Sequence, residues 1–301
     1  IIQDQTEEEM GAEKVQNAYH ERTKHHFHRY AAALGLDWAT QPDPFRRYIG
    51  ADLVRLPLPK AGRPLPYWQL YNSTIVQPIA PEPLSLASVS LFFRYALSLT
   101  AWKQAGDTTW PLRTNPSSGN LHPTEGYALL PAIGKICDTA AVFHYAPKEH
   151  ALERRAVLDA KRWGQLTESF PEGSFFVGLS SVQWREAWKY GERAFRYCQH
   201  DVGHALASLR IAAAALGWKM QLIDGVADST VSSLVGLDRD EDFAAAEREE
   251  AELLVLITPV SATPFNTEYK PLTAHGSDLV WQGKANTLSP EHGVEWPVID
   301  D

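Results

Sequence analysis

Pro116 and Pro123 enclose a short run of small polar residues, and this feature constrains the chain more than any other. Proline fixes φ and removes a backbone donor, so the chain is stiff at both ends of the run. An apolar helical pattern precedes the run, and an apolar strand-like pattern begins after it at Gly126. The chain is therefore expected to pass through a rigid turn, the proline-bracketed loop of residues 116–123, on its way into a strand.

The residues inside this loop allow two interpretations. Ser117, Ser118, Gly119 and Asn120 offer short side chains and backbone N–H groups. Such a loop could lie flat against a planar polar ligand and donate hydrogen bonds without steric bulk. The same residue types are also common in turns that only lead into a strand. Residue types alone leave both interpretations open.

The order of residues in the loop resembles a known motif. Residues 116–123 read Pro-Ser-Ser-Gly-Asn-Leu-His-Pro, similar to the Pro-Ser-x-x-Asn-x-Gln-Pro loop of the flavin-dependent nitroreductase superfamily. The longer run through Glu125 is more similar still to the SagB-type dehydrogenases, a branch that includes the azoline oxidases. The resemblance implies contacts with the isoalloxazine ring of FMN, often across a subunit interface, from Pro116, Ser117, Ser118, Gly119, Asn120 and His122.

Composition excludes several classes of protein. Hydrophobic residues make up 44% of the 301 residues and charged residues 22%, which is ordinary for a globular chain. The net charge of −9, without a basic stripe, argues against nucleic acid or an anionic membrane as a partner. Apolar runs fall far short of the ~20 residues that a membrane span needs. Cys137 and Cys198 form neither a disulfide framework nor a metal spacing, so a cytoplasmic protein is expected.

The sequence divides into three predicted parts. Residues 1–83 are expected to form an N-terminal helix and then a proline-rich arm, because proline disfavours helices and central strands. Such an arm should wrap a body or a neighbour. Residues 84–258 are expected to form the nitroreductase-like domain, and residues 259–301 an extended tail. The anchors predicted for the arm are Tyr67, Trp68, Leu70 and Tyr71.

Periodicity predicts the elements of the central part. Helices are predicted over residues 84–106, 154–166, 184–216 and 229–235. Strands are predicted over residues 126–130, 140–145, 174–180, 218–225 and 252–258. Strands separated by helices of uneven length, without a regular βαβ repeat, indicate an α+β fold. The resemblance implies a nitroreductase-like, FMN-dependent fold with an antiparallel-rich central sheet flanked by helices.

A basic helix face is the second candidate site. Lys189, Arg193 and Tyr197 step by four residues, so they share one side of a helix, and a solvated charged face is the plain interpretation. A lysine and a tyrosine held near a flavin could instead move protons. Azoline oxidases have a Lys-Tyr pair at the matching place. The resemblance therefore implies that Lys189 and Tyr190 are a catalytic base pair.

Two more positions complete the predicted flavin site. Asp224 and Gly225 follow an apolar strand and could be an ordinary Asp-Gly turn. The resemblance implies that this turn offers backbone N–H groups to flavin N5, where hydride arrives and leaves. Nitroreductases usually open with Arg-x-Ser-x-Arg, which holds the FMN phosphate, and that motif is missing here. Arg113 is the predicted substitute.

Histidines raise the alternative of a metal site. His20, His25, His26 and His28 lack partners at ligand spacing, so a solvated or interface helix is preferred. His200 and His204 stand four apart, but the glutamate of a zinc helix is absent. His204 is expected to be packed and hydrogen-bonded, with Gly203 in a tight helix contact. No metal is predicted.

Two functions from different classes remain open. The first is an FMN-dependent oxidoreductase that transfers hydride through flavin N5 and acts on a small molecule or a peptide. Without a Gly-x-Gly-x-x-Gly loop, NAD(P)H is expected only as a transient electron donor. The alternative is a flavin-free structural or dimerisation half that completes a partner's active site, which the missing phosphate motif favours. A hydrolase is disfavoured, because no Gly-x-Ser-x-Gly elbow occurs.

The expected assembly also follows from the resemblance. The segment after Tyr19 and residues 284–290 look like those of longer SagB-type proteins built as two tandem halves. The chain begins with Ile, so its natural form is expected to be longer. We therefore expect a homodimer, or a first half that pairs with a second nitroreductase-like half.

Overall fold

The computed structural model describes residues 7–28, 35–58, 65–70, 79–259, 272 and 279–290. In chain order the helices are α1 Glu7–Thr23, α2 Leu86–Ala96, α3 Ala160–Thr167, α4 Gln183–Tyr190, α5 Ala194–Ala215, α6 Asp228–Val235 and α7 Asp240–Phe243. The strands are β1 Tyr48–Ile49, β2 Asp52–Arg55, β3 Leu99–Ala105, β4 Thr108–Arg113, β5 Thr124–Leu130, β6 Ala141–Ala146, β7 Ala151–Val157, β8 Phe175–Ser181, β9 Lys219–Ile223, β10 Glu250–Thr258 and β11 Lys284–Ala285. Short 3₁₀ turns occur at Trp38–Thr40, Tyr67–Leu70, Ser118–Asn120 and Gly191–Arg193.

A seven-stranded sheet in the order β2-β7-β6-β5-β8-β10-β9 forms the centre of the fold. Every neighbouring pair in it is antiparallel. Strands β3 and β4 form a separate hairpin, and β1 pairs with β11. The predicted α+β class, with an antiparallel-rich sheet between helices, is confirmed.

An apolar core lies on each face of the sheet. On one face, Phe92 and Phe93 of α2 and Leu209 of α5 are fully buried. On the other face, Leu234 of α6 and Leu256 of β10 are fully buried. Burying a large apolar side chain contributes about 1.5–3 kcal/mol, so both layers hold the helices to the sheet. No helix of the described residues is long and apolar enough to cross a membrane.

The ends of several strands lie along one side of the sheet, perpendicular to the strand direction, and this side is called the sheet edge. Thr124, at the start of β5, pairs with Ser181 at the end of β8, and Ser181 also pairs with Glu250 at the start of β10. Ile223, the last residue of β9, pairs with Leu254 near this edge. The proline-bracketed loop before β5, helix α4 after β8 and the turn after β9 therefore all leave the sheet at the same edge.

The helix predicted over residues 84–106 is half wrong. Helix α2 begins at its cap Ser85, whose side chain accepts from Ser88 N, and it ends at Ala96. Residues 99–113 form a hairpin around a two-residue turn, Gly106 and Asp107. Gly106 has a positive φ of 59°, as the first position of a tight hairpin turn requires. The spacing of apolar residues continued into β3 by chance.

Two other predicted helices also need correction. The first part of residues 154–166 belongs to strand β7, and α3 starts only after its cap Asp159, which accepts from Arg162 N at 2.8 Å. The predicted helix 184–216 is broken at Gly191, which has φ 56° and ψ −138°. Lys189 and Tyr190 therefore end α4 and do not open the long helix α5.

The arm and the tail are more ordered than predicted. Strand β2 of the arm pairs with β7 as an edge strand of the central sheet. In the described part of the tail, β11 pairs with β1. Tyr67 is 73% exposed and Trp68 53%, so neither is the expected buried anchor. Tyr71 lies outside the described residues.

Candidate active site

The proline-bracketed loop is a compact turn that its own side chains hold together. Gly119 and Asn120 both have φ of 61°, and His122 has φ of 53°. Asn120 Nδ2 donates to the Pro111 carbonyl at 2.8 Å, and His122 N donates to Ser117 Oγ at 2.8 Å. Several polar groups predicted to be available to a ligand are thus used inside the chain, since buried donors need acceptors.

His122, which stands at the glutamine position of the motif, is buried beneath the loop. Its Nε2 lies 3.0 Å from Asn120 Oδ1, an acceptor, so we assign the proton to Nε2. Burial and the nearby guanidinium groups of Arg113 and Arg185 lower the pKa of His122 to about 3. His122 is therefore neutral and donates one hydrogen bond that orients Asn120, as a glutamine amide could.

Asp201 of α5 anchors the loop from below. Its carboxylate oxygens accept from Ser118 N at 3.0 Å and from Ser118 Oγ at 3.0 Å. The side chain is fully buried. Burial raises the pKa of Asp201, although the hydrogen bonds from Ser117 and Ser118 oppose that rise. Through this contact, helix α5 holds the proline-bracketed loop in place.

The Lys-Tyr pair meets the loop at Gly119. A Cβ built on Gly119 would lie 2.7 Å from Tyr190 Oη and 3.0 Å from Lys189 Nζ. Both side chains are half-buried, and the Tyr190 ring lies against the Tyr197 ring with centroids 4.2 Å apart. Burial, followed by the charge of Glu186, raises the pKa of Tyr190 to about 12. The structure thus brings together two sequence motifs that lie far apart in the chain.

Arg185 positions α4 against the loop. Its Nη1 donates to the His122 carbonyl at 2.7 Å and to the carboxylate of Glu125, and its Nε donates to the Asp43 carbonyl at 3.1 Å. The guanidinium is completely buried. Because Arg185 lies one turn before Lys189, these contacts fix the end of α4 from which the Lys-Tyr pair projects.

Arg113, the predicted phosphate residue, points into the protein. It donates to the carbonyls of Thr124 and Pro44, and its Nη2 lies 3.8 Å from Glu125. Burial lowers the pKa of Arg113 to about 10, although Glu125 opposes that change. A phosphate role for Arg113 stays a prediction, and it would require these internal contacts to break.

Glu186 lies on the same turn of α4 as the Lys-Tyr pair and is fully buried. Neither carboxylate oxygen has a hydrogen-bond partner among the described residues. Burial, together with the charge of Asp201, raises the pKa of Glu186 to about 9. This side chain is therefore a neutral carboxylic acid at neutral pH, next to two groups that can exchange protons.

The turn after β9 is open. Asp224 and Gly225 are both exposed, and Gly225 has φ of 70°. A Cβ added at Gly225 would meet nothing within 4 Å. The turn lies at the same sheet edge as the loop, but strands β8 and β10 lie between them. Any ligand that touches both must span this edge.

One histidine and its glycine neighbour differ from the predictions. His204 is exposed, with Nδ1 3.7 Å from Asp201 Oδ1, and a Cβ on Gly203 would meet nothing within 4 Å. The expected packed histidine and tight glycine contact are wrong, since both residues lie on the outer side of α5. Among the described residues, no cluster of side chains could hold a metal ion.

A buried ionic network adjoins the loop. His144 Nδ1 lies 2.8 Å from Glu153, and its Nε2 lies 3.2 Å from Glu125. Burial alone would lower the pKa of His144, but the hydrogen bonds that its ring donates to these carboxylates raise it to about 9. Burial alone would raise the pKa of Glu125, but Arg185, Arg113 and His144 lower it to about 2. The network is therefore charged at neutral pH.

Arg185, Glu186 and Asp201 were missed as site residues in the sequence. A signal was present: Glu186 stands three and four residues before Lys189 and Tyr190, on one helix face. Arg185 and Glu186 also lie among apolar residues of α4, where charges are unusual unless they are paired. The contact of Asp201 with Ser118 could not be predicted locally, because the two residues are distant in sequence.

The family of this chain follows from its similarity to known proteins. The profile of the Nitroreductase family matches residues 80–246, more than half of the 301 residues. The chain belongs to the nitroreductase family. This nitroreductase-family protein is thereby placed among oxidoreductase-like proteins, and the matched segment contains the proline-bracketed loop, α4 and the turn after β9. The family prediction made from the loop motif is confirmed.

Individual relatives support the same placement. Over 169 residues the protein is 31% identical to the trifolitoxin-processing protein TfxB of Rhizobium leguminosarum bv. trifolii, covering 52% of this chain and 44% of TfxB. A protein described as a nitroreductase from Anabaena variabilis aligns with a TM-score of 0.63 at 23% identity, over 90% of this chain and 52% of its own. This nitroreductase-family chain thus spans about half the length of both.

A smaller structure shows the same fold. A protein described as a nitroreductase from Ralstonia eutropha aligns with a TM-score of 0.50 at 15% identity, over 78% of this chain and 100% of its own. At these identities the two solved structures establish the fold alone. The nitroreductase-like fold predicted from the sequence is confirmed for this family member.

Proposed function

We propose that this protein is an FMN-dependent oxidoreductase of the SagB-type kind, in which hydride passes through flavin N5. The convergence of Lys189 Nζ and Tyr190 Oη on Gly119 carries the proposal. A flavin-binding loop and a proton-transfer pair can act on the same substrate only when they are adjacent. The two motifs are distant in sequence, and local sequence patterns do not account for their contact. Membership of the nitroreductase family supports an oxidoreductase activity. The dependence on FMN is our proposal.

The residues of the site fit a planar ring. Gly119 is exposed, and a side chain there would collide with Tyr190 Oη and Lys189 Nζ, so only glycine lets the loop backbone and the pair lie side by side. The Asn120 amide is committed to Pro111, so the backbone around Gly119 would face the ring in place of that amide. The open turn at Gly225 would offer a second stretch of backbone. When bound, FMN would supply hydride transfer at N5.

The protein's own groups would then handle the proton. We assign proton transfer with the substrate to Lys189 and Tyr190, because both are half-buried beside the loop. Proton transfer by a positioned group typically contributes about 10²–10⁴-fold in rate. Neighbouring residues leave a helix in directions about 100° apart, although the ends of both side chains lie near Gly119. One of the two should therefore approach the flavin more directly, and we favour Lys189.

The substrate and partners are proposed from the same resemblance. A small molecule or a peptide would be the substrate, and the name of TfxB, a toxin-processing protein, supports a peptide. NAD(P)H would be a transient electron donor. A homodimer, or pairing with a second nitroreductase-like half, would complete the site, and the half-length match to two relatives supports this arrangement.

A second function has one observation in its favour. Arg113 is tied to internal carbonyls, so the residue predicted to bind the FMN phosphate is occupied elsewhere. A flavin-free half that dimerises and completes a partner's active site would need no phosphate site. The intact loop and the Lys-Tyr pair oppose this alternative.

Flavin identification tests the two functions. The purified protein is expected to be yellow, to release FMN on denaturation and to sediment as a dimer, alone or with a second half. Lys189→Ala and Tyr190→Phe should keep the flavin and lose turnover by at least about 100-fold. Arg210→Ala, an exposed change on α5, is the control. A colourless protein would refute the FMN proposal, and a stable flavin-bound monomer would refute the assembly.

A further inference from the structure

Glu186 is a buried acid that the proposed function does not yet use. Its side chain is completely buried, and both oxygens lack a hydrogen-bond partner among the residues that the structure describes. A buried polar group without partners destabilises a fold, so its presence needs a reason. Unusual buried acids of this kind concentrate where proton chemistry occurs.

The position of Glu186 supplies that reason. Residues three and four apart on a helix are neighbours, and Glu186 has Lys189 at the third position and Tyr190 at the fourth. The charged and titratable groups that face it are Arg185, Lys189 and Tyr190 on α4, and Cys198 and Asp201 on α5. Asp201 is already engaged by Ser118, which leaves the Lys-Tyr pair as the exchange partner. Because neither Glu186 oxygen is hydrogen-bonded to the pair, a side-chain rotation or a bridging water must complete the proton path.

We propose that Glu186 is the internal proton source of the Lys-Tyr pair. As a neutral carboxylic acid, it passes its proton to Tyr190 Oη or Lys189 Nζ while that atom gives its own proton to a bound substrate, and Glu186 becomes a carboxylate. When the reaction runs the other way, the pair returns the substrate's proton to that carboxylate. Glu186 acts through the pair and is a positioning residue, because its carboxyl is completely buried.

The charge state of Glu186 fits this role. Burial, with the like charge of Asp201, raises its pKa to about 9, so the acid keeps its proton over the neutral range. Tyr190, with a pKa raised to about 12, is the weaker acid, so its phenolate would recover a proton from Glu186 readily. Lys189 is half-buried and so remains partly in contact with solvent, from which it can return protons to the buried carboxylate.

The first test needs no flavin. The infrared spectrum of the protein as purified should contain a protonated carboxyl band at neutral pH that is lost in Glu186→Gln and kept in Glu172→Gln, an exposed control. In the folded chain the pKa of Glu186 is raised from 4.5 to about 9. Its contribution to stability is therefore complete below 4.5 and is lost as pH rises to about 9. The unfolding midpoint of the parent should fall relative to that of Glu186→Gln across this interval.

The second test measures proton delivery, and it rests on the proposed function. Chemically reduced, FMN-loaded protein is mixed with menadione, which takes a hydride from the flavin and a proton from the pair to give the hydroquinone. Glu186→Gln should react about tenfold or more slowly at neutral pH. It should also lose the fall in rate that the parent shows as pH passes about 9.

The outcomes separate the two proposals. If the infrared band is absent, or if Glu186→Gln keeps the parental rate and pH profile, the proton source is overturned while FMN dependence stands. A colourless protein that still shows the band overturns FMN dependence, and the relay with it, but confirms the neutral acid. Loss of the band together with a slow, pH-independent reaction in Glu186→Gln supports the proposal.

Discussion

At the scale of single residues, Gly119 combines a backbone requirement with a contact. Its φ of 61° favours glycine, and a Cβ would reach Tyr190 Oη and Lys189 Nζ. Gly119→Ala should lower the free energy of unfolding by about 1 kcal/mol because of the positive φ. Both contacting atoms are at the ends of flexible side chains, so Lys189 and Tyr190 should move aside. Flavin content and turnover should therefore fall as well, although the loss of stability stays small.

Gly106→Ala is a matched control for this change. Gly106 has φ of 59°, but a Cβ there would meet nothing within 4 Å. It should therefore show the same loss in urea unfolding and no loss of flavin or turnover. Equal flavin content and equal turnover in the two variants would show that the pair does not depend on the loop surface at Gly119.

At the scale of elements, the break between α4 and α5 decides where the Lys-Tyr pair points. Gly191 adopts φ 56° and ψ −138°, a region that is almost closed to other residues. Gly191→Ala should lower the free energy of unfolding by about 1–3 kcal/mol and should also reduce turnover. A continuous helix would rotate Lys189 and Tyr190 relative to α5, away from Gly119.

Gly203→Ala provides the comparison within α5. Gly203 lies in regular helix and is exposed, and a Cβ added there would meet nothing within 4 Å. Alanine there should raise the free energy of unfolding by about 0.5–1 kcal/mol, as in other helix interiors. Chemical denaturation of both variants measures the contrast, and a tolerated Gly191→Ala would show that the break is not needed.

At the scale of the whole molecule, buried titratable groups set how stability depends on pH. In the folded protein the pKa of His144 is raised from 6.5 to about 9. Its contribution is therefore complete below 6.5 and is lost as pH rises toward about 9. The lowered pKa values of His122, about 3, and His150, about 4, affect stability only at lower pH. The free energy of unfolding should thus decline between 6.5 and about 9.

His144→Gln tests the source of this decline. The variant should be less stable throughout, because Glu125 and Glu153 lose a charged partner, but its slope between 6.5 and about 9 should be shallower. Urea unfolding at several pH values measures that slope. An unchanged slope would assign the decline to other groups, with Glu186 the first to examine.

Short-range patterns in the sequence determined a definite part of this protein. The loop motif at residues 116–123 predicted the family, and apolar runs predicted strands β5, β6, β8, β9 and β10 close to their observed bounds. The same kind of pattern misassigned residues 99–106, because apolar residues spaced like a helix also occur in a hairpin strand that is exposed at every residue after Leu99. Proline density likewise hid strand β2, which is permitted as an edge strand.

Only the tertiary structure decided which distant residues are in contact and which buried titratable groups remain charged. The contact of Asp201 with Ser118 and that of Arg185 with the His122 carbonyl join segments that no local period connects. The neutral state of Glu186 depends on the removal of water by α5 and the loop, not on the residues beside it in sequence. Backbone limits and apolar periodicity act over a few residues and can be read from the chain. Desolvation and charge pairing act through space, so they exist only once the sheet edge has brought these segments together.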